Sequence, residues 1–157
     1  MREILFRGKR KDNGEWIEGF YTKAKYYLDE TAMHIIFPLD LTAFPYCEFT
    51  SYKEIIPETL GEYTGLTDTN GIKIFEGDIV SIGAYYPEDP TYQIKFGYHS
   101  VTASDPYDSG TAYGFYYVGG RHGYEEGLCE DDPKLFEVVG NIHDNPELLE
   151  VNYESDS

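Results

Sequence analysis

Two tight turns fall close together in residues 60–80, LGEYTGLTDTNGIKIFEGDIV, and they set the architecture for the chain around them. Asp68-Thr69-Asn70-Gly71 separates two extended arms, and Ile72 and Ile74 alternate with Lys73 at the period of a strand. Glu76-Gly77-Asp78 is a further turn, after which Ile79-Val80-Ser81-Ile82 starts the next strand. In such a Gly-Asp step the glycine permits a sharp bend and the aspartate caps the exposed backbone N–H groups. Small closed barrels often turn their corners this way.

The rest of the chain agrees. Sixteen Tyr, nine Phe, sixteen Gly and eight Pro favour strands and turns over helices. A strand over residues 3–7 leads to Asn13-Gly14, a hairpin signal in which both turn positions take positive φ. On the return strand Trp16, Glu18 and Phe20 share one face, with Glu15, Ile17 and Tyr21 near the other, giving a hairpin over 3–22. Residues 33–37 form a short apolar strand ended by Pro38, and Phe44-Pro45-Tyr46-Cys47 reads as a turn or edge segment. Beyond residue 83 the pattern loosens. Residues 84–90 read as a loop, 92–96 as a strand, 104–110 as turn material and 112–118 as a Tyr/Phe-rich strand. Residues 121–134 read as an exposed acidic loop, and 135–139 as the last strand. Asn145 suits an N-cap and Pro146 the first position of one C-terminal helical turn. Residues 152–157 are expected to fray.

At 157 residues a single chain buries about 70% of its unfolded surface, so a core forms without staples. The two cysteines, Cys47 and Cys129, make no disulfide framework and read as free thiols in a reducing cytosol. No apolar run approaches the roughly 20 residues of a membrane helix, and the first residues lack the pattern of a signal peptide. The net charge of −17 argues against coating nucleic acid or an anionic membrane. The charge is uneven. Residues 1–26 hold seven basic and four acidic groups, whereas 27–157 hold five basic and 25 acidic ones. The basic strip therefore suits packing on an acidic body, in the same chain or a second copy, better than a phosphate contact at Lys9-Arg10-Lys11.

The residues of chemistry do not converge. Gly119-Gly120-Arg121-His122-Gly123 lacks the spacing and strand–helix context of a phosphate cradle. His122, Cys129, Glu125, Glu126 and His143-Asp144 do not match the paired short spacings of zinc sites. Cys47 sits among apolar aromatics and Cys129 among carboxylates, and both settings disfavour a thiolate. No cofactor or metal is expected. Two surfaces remain as candidates. One is aromatic, drawn from Tyr85, Tyr86, Tyr92, Tyr98, Tyr107, Tyr113, Tyr116, Tyr117 and Tyr124, with Tyr85, Tyr86, Tyr92, Tyr116 and Tyr117 put first. Tyrosine gives large, stiff contact area with a polar tip, although many of these rings also suit a β-core. The other is acidic, Glu125, Glu126, Glu130, Asp131 and Asp132. It reads either as a solvated loop or as an imitation of phosphate that occupies a basic nucleic-acid-binding protein.

The residues Tyr63-Thr64-Gly65-Leu66, Asp68, Asn70-Gly71 and Ile74-Phe75-Glu76-Gly77-Asp78-Ile79-Val80 resemble the YopX family of phage and prophage proteins. So do Arg2-Glu3-Ile4-Leu5-Phe6-Arg7 near the start and residues 136–149, FEVVGNIHDNPELL. The three blocks come in the family's order. The resemblance implies a β-rich fold with an SH3-like barrel in its C-terminal part. It also implies a phage- or prophage-encoded protein of the bacterial host cytoplasm. The matching residues are turn glycines, capping acids and strand apolars, so no catalytic residues carry over.

These readings predict an all-β chain with at most one short C-terminal helix. An N-terminal β-hairpin region over 1–56 packs on an SH3-like barrel over 57–150, with a variable insertion at about 83–134 and a tail at 151–157. The expected role is non-enzymatic: an accessory protein that binds another protein, with homo-oligomers possible and no membrane or direct nucleic-acid contact. The acidic decoy is the alternative, and an enzyme of unrecognised type stands behind it.

Overall fold

Short strands bounded by glycine and proline cannot bury a face alone, so they are stable only when paired. The computed structural model describes residues 3–25, 28, 30–38, 52–83, 91–102, 109–120 and 123–149. Among the described residues the chain is all-β, with strands β1 to β11 and 3-10 turns at Pro57–Thr59, Asp132–Lys134 and Pro146–Leu149. None of their helices is long and apolar enough to cross a membrane. The chain divides into two compact units, Met1–Tyr63 and Thr64–Ser157.

In the first unit β1 (Phe6–Lys9), β2 (Trp16–Lys25), β3 (Ala32–Pro38) and β4 (Lys53–Glu54) lie in the order β4-β3-β2-β1. The start of β5 (Gly61–Thr67) pairs on the far side of β1. Leu5, Ile35, Ile36, Ile55 and Tyr63 are buried. The β1–β2 hairpin forms with Lys9 opposite Trp16, but its turn is wider than the Asn13-Gly14 dipeptide suggests. The Arg10 N–H donates to Glu15 O at 2.9 Å and the Gly14 N–H to Arg10 O at 2.9 Å. Gly14 takes φ +74°, whereas Asn13 keeps a negative φ. The reason is local. Asn13 Oδ1 accepts the Glu15 N–H at 2.9 Å, and Arg10 grips both Asp12 oxygens at 2.9 and 2.7 Å, so side chains close a longer loop. Arg7, Lys9, Arg10 and Lys11 of the basic strip are engaged within this unit. Arg7 and Lys9 lie 4.7 and 5.5 Å from the Trp16 ring centroid, and Lys11 meets Glu54 at 3.0 Å.

In the second unit β6 (Lys73–Phe75) neighbours the end of β5. A five-stranded sheet follows, built from β7 (Asp78–Ser81), β8 (Thr91–Thr102), β9 (Ser109–Gly119), β10 (Tyr124–Gly127) and β11 (Glu137–Asn141). Its order is β10-β9-β8-β7-β11 and all its pairs are antiparallel. Ile74, Val80, Ile82, Tyr92, Ile94, Tyr117 and Phe136 form the core, with Leu128 and Val138 against it. Tyr117 packs edge-on against both Tyr92 and Phe136, at 5.4 and 5.2 Å between centroids.

Both turn aspartates do what the sequence pattern implies. Asp78 is 1% exposed and accepts the Phe75 N–H at 2.8 Å, beside Gly77 at φ +89°. Asp68 is 6% exposed; its Oδ1 accepts the N–H groups of Asn70 and Ile72 at 2.8 and 2.9 Å. Its Oδ2 accepts the Val138 N–H at 2.9 Å, which ties the β5–β6 turn to β11.

Several expectations need correction. Among the described residues the five-stranded sheet ends in β10 and β11 and neither sheet is closed, so the strands show an all-β fold without showing the expected SH3-like barrel. Residues 121–134 are not all loop, since they include β10 and the turn at Asp132–Lys134. The last strand begins at Glu137, because the N–H groups of Leu135 and Phe136 return to the carbonyls of Asp132 and Pro133 and Phe136 enters the core. The strands expected over 92–96 and 112–118 are parts of the longer β8 and β9, and residues 109 and 110 belong to β9. The Asn145 side chain turns back to accept the Asn141 N–H at 3.3 Å, while its carbonyl accepts from Leu148. The readings at 44–47, 84–90, 104–108, Arg121, His122 and 152–157 lie outside the described residues.

Asp68→Ala strands three N–H groups near the core and is expected to cost about 3 kcal/mol in urea unfolding. Asp68→Asn keeps one acceptor oxygen but turns an amide N–H toward a donor, and should cost less. Equal losses from the two variants would contradict the three-bond role.

Candidate functional site

Antiparallel pairing places directly opposed residues on the same face of a sheet. β8 and β9 stay paired from Tyr92 opposite Gly119 to Thr102 opposite Ser109. In that register Phe96 faces Phe115, Gly97 faces Gly114 and Tyr98 faces Tyr113. Phe-Gly-Tyr on one strand therefore meets its mirror image, Tyr-Gly-Phe, on the other. The four rings line one face. Phe96 lies 4.8 Å from Phe115 and 5.1 Å from Tyr113, and Tyr98 lies 4.9 Å from Tyr113. The same face supplies Tyr92, Ile94 and Tyr117 to the core, but the hairpin outruns that core. Its outer rows meet solvent, with Phe96 38%, Tyr113 64% and Tyr98 77% exposed.

The opposite face shows what holds this arm. There His99 reaches along the strand and stacks on Tyr116 at 4.9 Å and 22°. His99 is buried, its Nδ1 3.3 Å from Gly97 O. Gly127 on β10 leaves the space for it, since a Cβ there would come within 2.9 Å of His99 Nε2. Glu125, also on β10, accepts the Ser100 N–H at 2.8 Å. The arm is thus pinned to β10, and the aromatic stripe is presented in a set geometry.

The sequence-derived candidates are distributed differently. Tyr92 and Tyr117 belong to the core and present no recognition ring. The Tyr117 hydroxyl donates to Glu126 at 2.8 Å, and burial together with that carboxylate pushes the phenol far above its usual range. Tyr116 is half-buried under His99, and Tyr85 and Tyr86 lie outside the described residues. The carboxylates are largely committed to the chain: Glu125 to Ser100, Glu126 to Tyr117, Asp131 to Lys134 at 2.6 Å, and Asp132 to the Cys129 N–H at 2.6 Å. Lys134 lowers the pKa of Asp131, while burial raises that of Asp132. Burial first, then Asp132, Glu126 and Asp131, push the Cys129 thiol up, away from a nucleophilic thiolate. Phe96 and Phe115 were not singled out by sequence, and Tyr98 and Tyr113 stood only in the wider tyrosine set. The mirrored Phe-Gly-Tyr and Tyr-Gly-Phe triplets were the signal that finds all four.

Each unit carries a cleft lined by described residues. One of about 550 Å³ is lined by Thr67, Asp68, Thr69, Glu130 and Lys134. The other, of about 300 Å³, is lined by Lys11, Met33, His34, Glu54 and Ile55. In the second, His34 Nδ1 is bonded to the Tyr21 hydroxyl at 2.7 Å and Lys11 to Glu54. Among the described residues no three His, Cys, Asp or Glu side chains are placed to hold a metal.

The family model described as YopX protein matches residues 5–150. The chain belongs to the YopX family. No curated protein matches it. Among solved structures, this YopX-family chain is similar to the crystal structure of protein EF1440 from Enterococcus faecalis, at 23% identity and a TM-score of 0.46, covering 96% of this chain and 100% of that one.

Asp132 gives a pH-dependent test. An acid whose folded pKa is raised contributes stability below its unfolded value and loses it as pH rises through the folded value. Asp132→Asn keeps an oxygen for the Cys129 N–H and is neutral at every pH. It should therefore raise Tm at about pH 7 and leave it unchanged at about pH 3. A lower Tm for the variant at neutral pH contradicts this.

Proposed function

We propose that this chain is a non-enzymatic accessory protein that acts by binding another protein through the β8–β9 arm. One observation carries the reading: four aromatic rings stand in two cross-strand pairs in contact with each other on an arm pinned from behind, with Tyr98 and Tyr113 mostly in solvent and Phe96 and Phe115 partly so. Exposing such a stripe costs apolar hydration, and contiguous exposed aromatic surface marks interaction sites. Tyrosine suits the task because two χ angles carry a large contact area. The clefts favour catalysis less, since His34, Lys11 and Lys134 are each bonded to a neighbouring side chain. The family resemblance supports a phage or prophage origin and a role in the cytoplasm of the bacterial host. A decoy that imitates phosphate fits less well, because Glu125 and Asp132 cap backbone N–H groups and Asp131 pairs with Lys134, so the carboxylates do not form one open array.

The test compares the wild-type chain with the double variant Tyr98→Ser/Tyr113→Ser in affinity capture from host lysate. The variant should keep its thermal melt within about 2 °C, as exposed positions do. It should lose the proteins that the wild type captures. Identical captured sets, or turnover of a substrate abolished by a point substitution elsewhere, would remove the proposal.

A further inference from the structure

We propose that the aromatic stripe receives an extended, cationic segment of the partner, with arginine at alternate positions. The inference rests on the β8–β9 arm being the binding surface, and it adds the chemistry of what binds. Charge is the first argument. Residues 64–157 contain 18 acidic and four basic groups. The register places Tyr92, Ile94, Phe96, Tyr98, Ser100, Thr111, Tyr113, Phe115, Tyr117, Tyr124 and Glu126 on the stripe's face of β8, β9 and β10. Among these described residues Glu126 alone is charged. It is exposed, and it stands one row inward from Phe115, opposite Tyr117. Asp132 adds to the negative field there, since its charge acts on the same Tyr117 hydroxyl. Lys95 points to the other face with its neighbour Tyr116. The stripe is thus a set of π-faces ending at carboxylates, with no cation of its own on that face among the described residues.

Guanidinium groups fit both parts. They stack on aromatic faces and pair with carboxylates, and they shed water more readily than ammonium groups. Spacing is the second argument. Tyr113 and Phe115 stand in successive rows along β9, about 7 Å apart, and Glu126 marks the next row; alternate side chains of an extended peptide have the same repeat. The same charge disfavours a second copy as the occupant, because docking two stripes would bring Glu126 and Asp132 of both copies together.

The experiment is fluorescence anisotropy with the full chain and three labelled peptides: arginine alternating with serine, the same peptide with citrulline for arginine, and the same with glutamate. The arginine peptide should bind and weaken as salt rises, and the glutamate peptide should not bind. Tyr98→Ala/Tyr113→Ala should weaken binding at least about ten-fold. Glu126→Gln, which keeps an oxygen for Tyr117, should weaken it about five-fold and flatten the salt dependence. Thermal melts verify that both variants remain folded. Equal affinity for the citrulline peptide overturns the cationic assignment and leaves the binding arm standing. Arginine-peptide binding that the tyrosine variant leaves intact overturns the inference, and so does self-association abolished by that variant. If lysate capture also survives loss of the tyrosines, the binding arm itself falls with it.

Discussion

The Asp68 carboxylate joins what would otherwise be separate pieces of the second unit. A hairpin turn between short strands leaves N–H groups without strand partners, and β11 enters the sheet some 70 residues later. One side chain answers both, with one oxygen inside the turn and the other on Val138. It is buried, so its bonds face little competition from water. The same turn also donates the Thr69 N–H to Phe136 O at 3.0 Å, and β11 pairs with β7 through its own ladder. The Asp78 carboxylate repeats the device on a smaller scale at the next corner.

The fold was legible where chemistry is local. Gly77-Asp78 and Asp68 to Gly71 announce their turns because glycine and aspartate act within a few residues of themselves. Asn13-Gly14 shows the limit. The dipeptide marks the hairpin, but the loop that forms is wider, closed by Asn13 Oδ1 on the Glu15 N–H and by Arg10 on Asp12. The open sheet was not legible, since closure depends on which edges meet across long sequence separations. Residues 121–134 looked like loop for a similar reason. Glu125 and Glu126 are strand residues only because β9 offers them an edge.

The candidate site was half legible. Composition pointed to the tyrosines of 83–134, yet it could not separate Tyr92 and Tyr117, which fill the core, from Tyr98 and Tyr113, which leave it. All four lie on one face, so periodicity treats them alike. The difference is how far the core reaches along the hairpin, and that is set by residues elsewhere, Phe136 and Leu128 among them. The glycines carried more information than the aromatics. Gly127 has no side chain where His99 lies, whereas Gly97 and Gly114 take φ values of +146° and +157° that favour glycine.

The edge position of β10 has a consequence for the protein in concentrated solution. An edge strand beside exposed aromatic rows is the kind of surface that templates pairing between copies and starts aggregation. β10 carries Glu125 and Glu126, and the unit around it is strongly negative, so like copies repel before their edges meet. The acidic surplus therefore acts as a gatekeeper as well as a solubilising charge. That repulsion opposes edge-to-edge pairing beside the aromatic rows, and it is one that salt screens and acid neutralises.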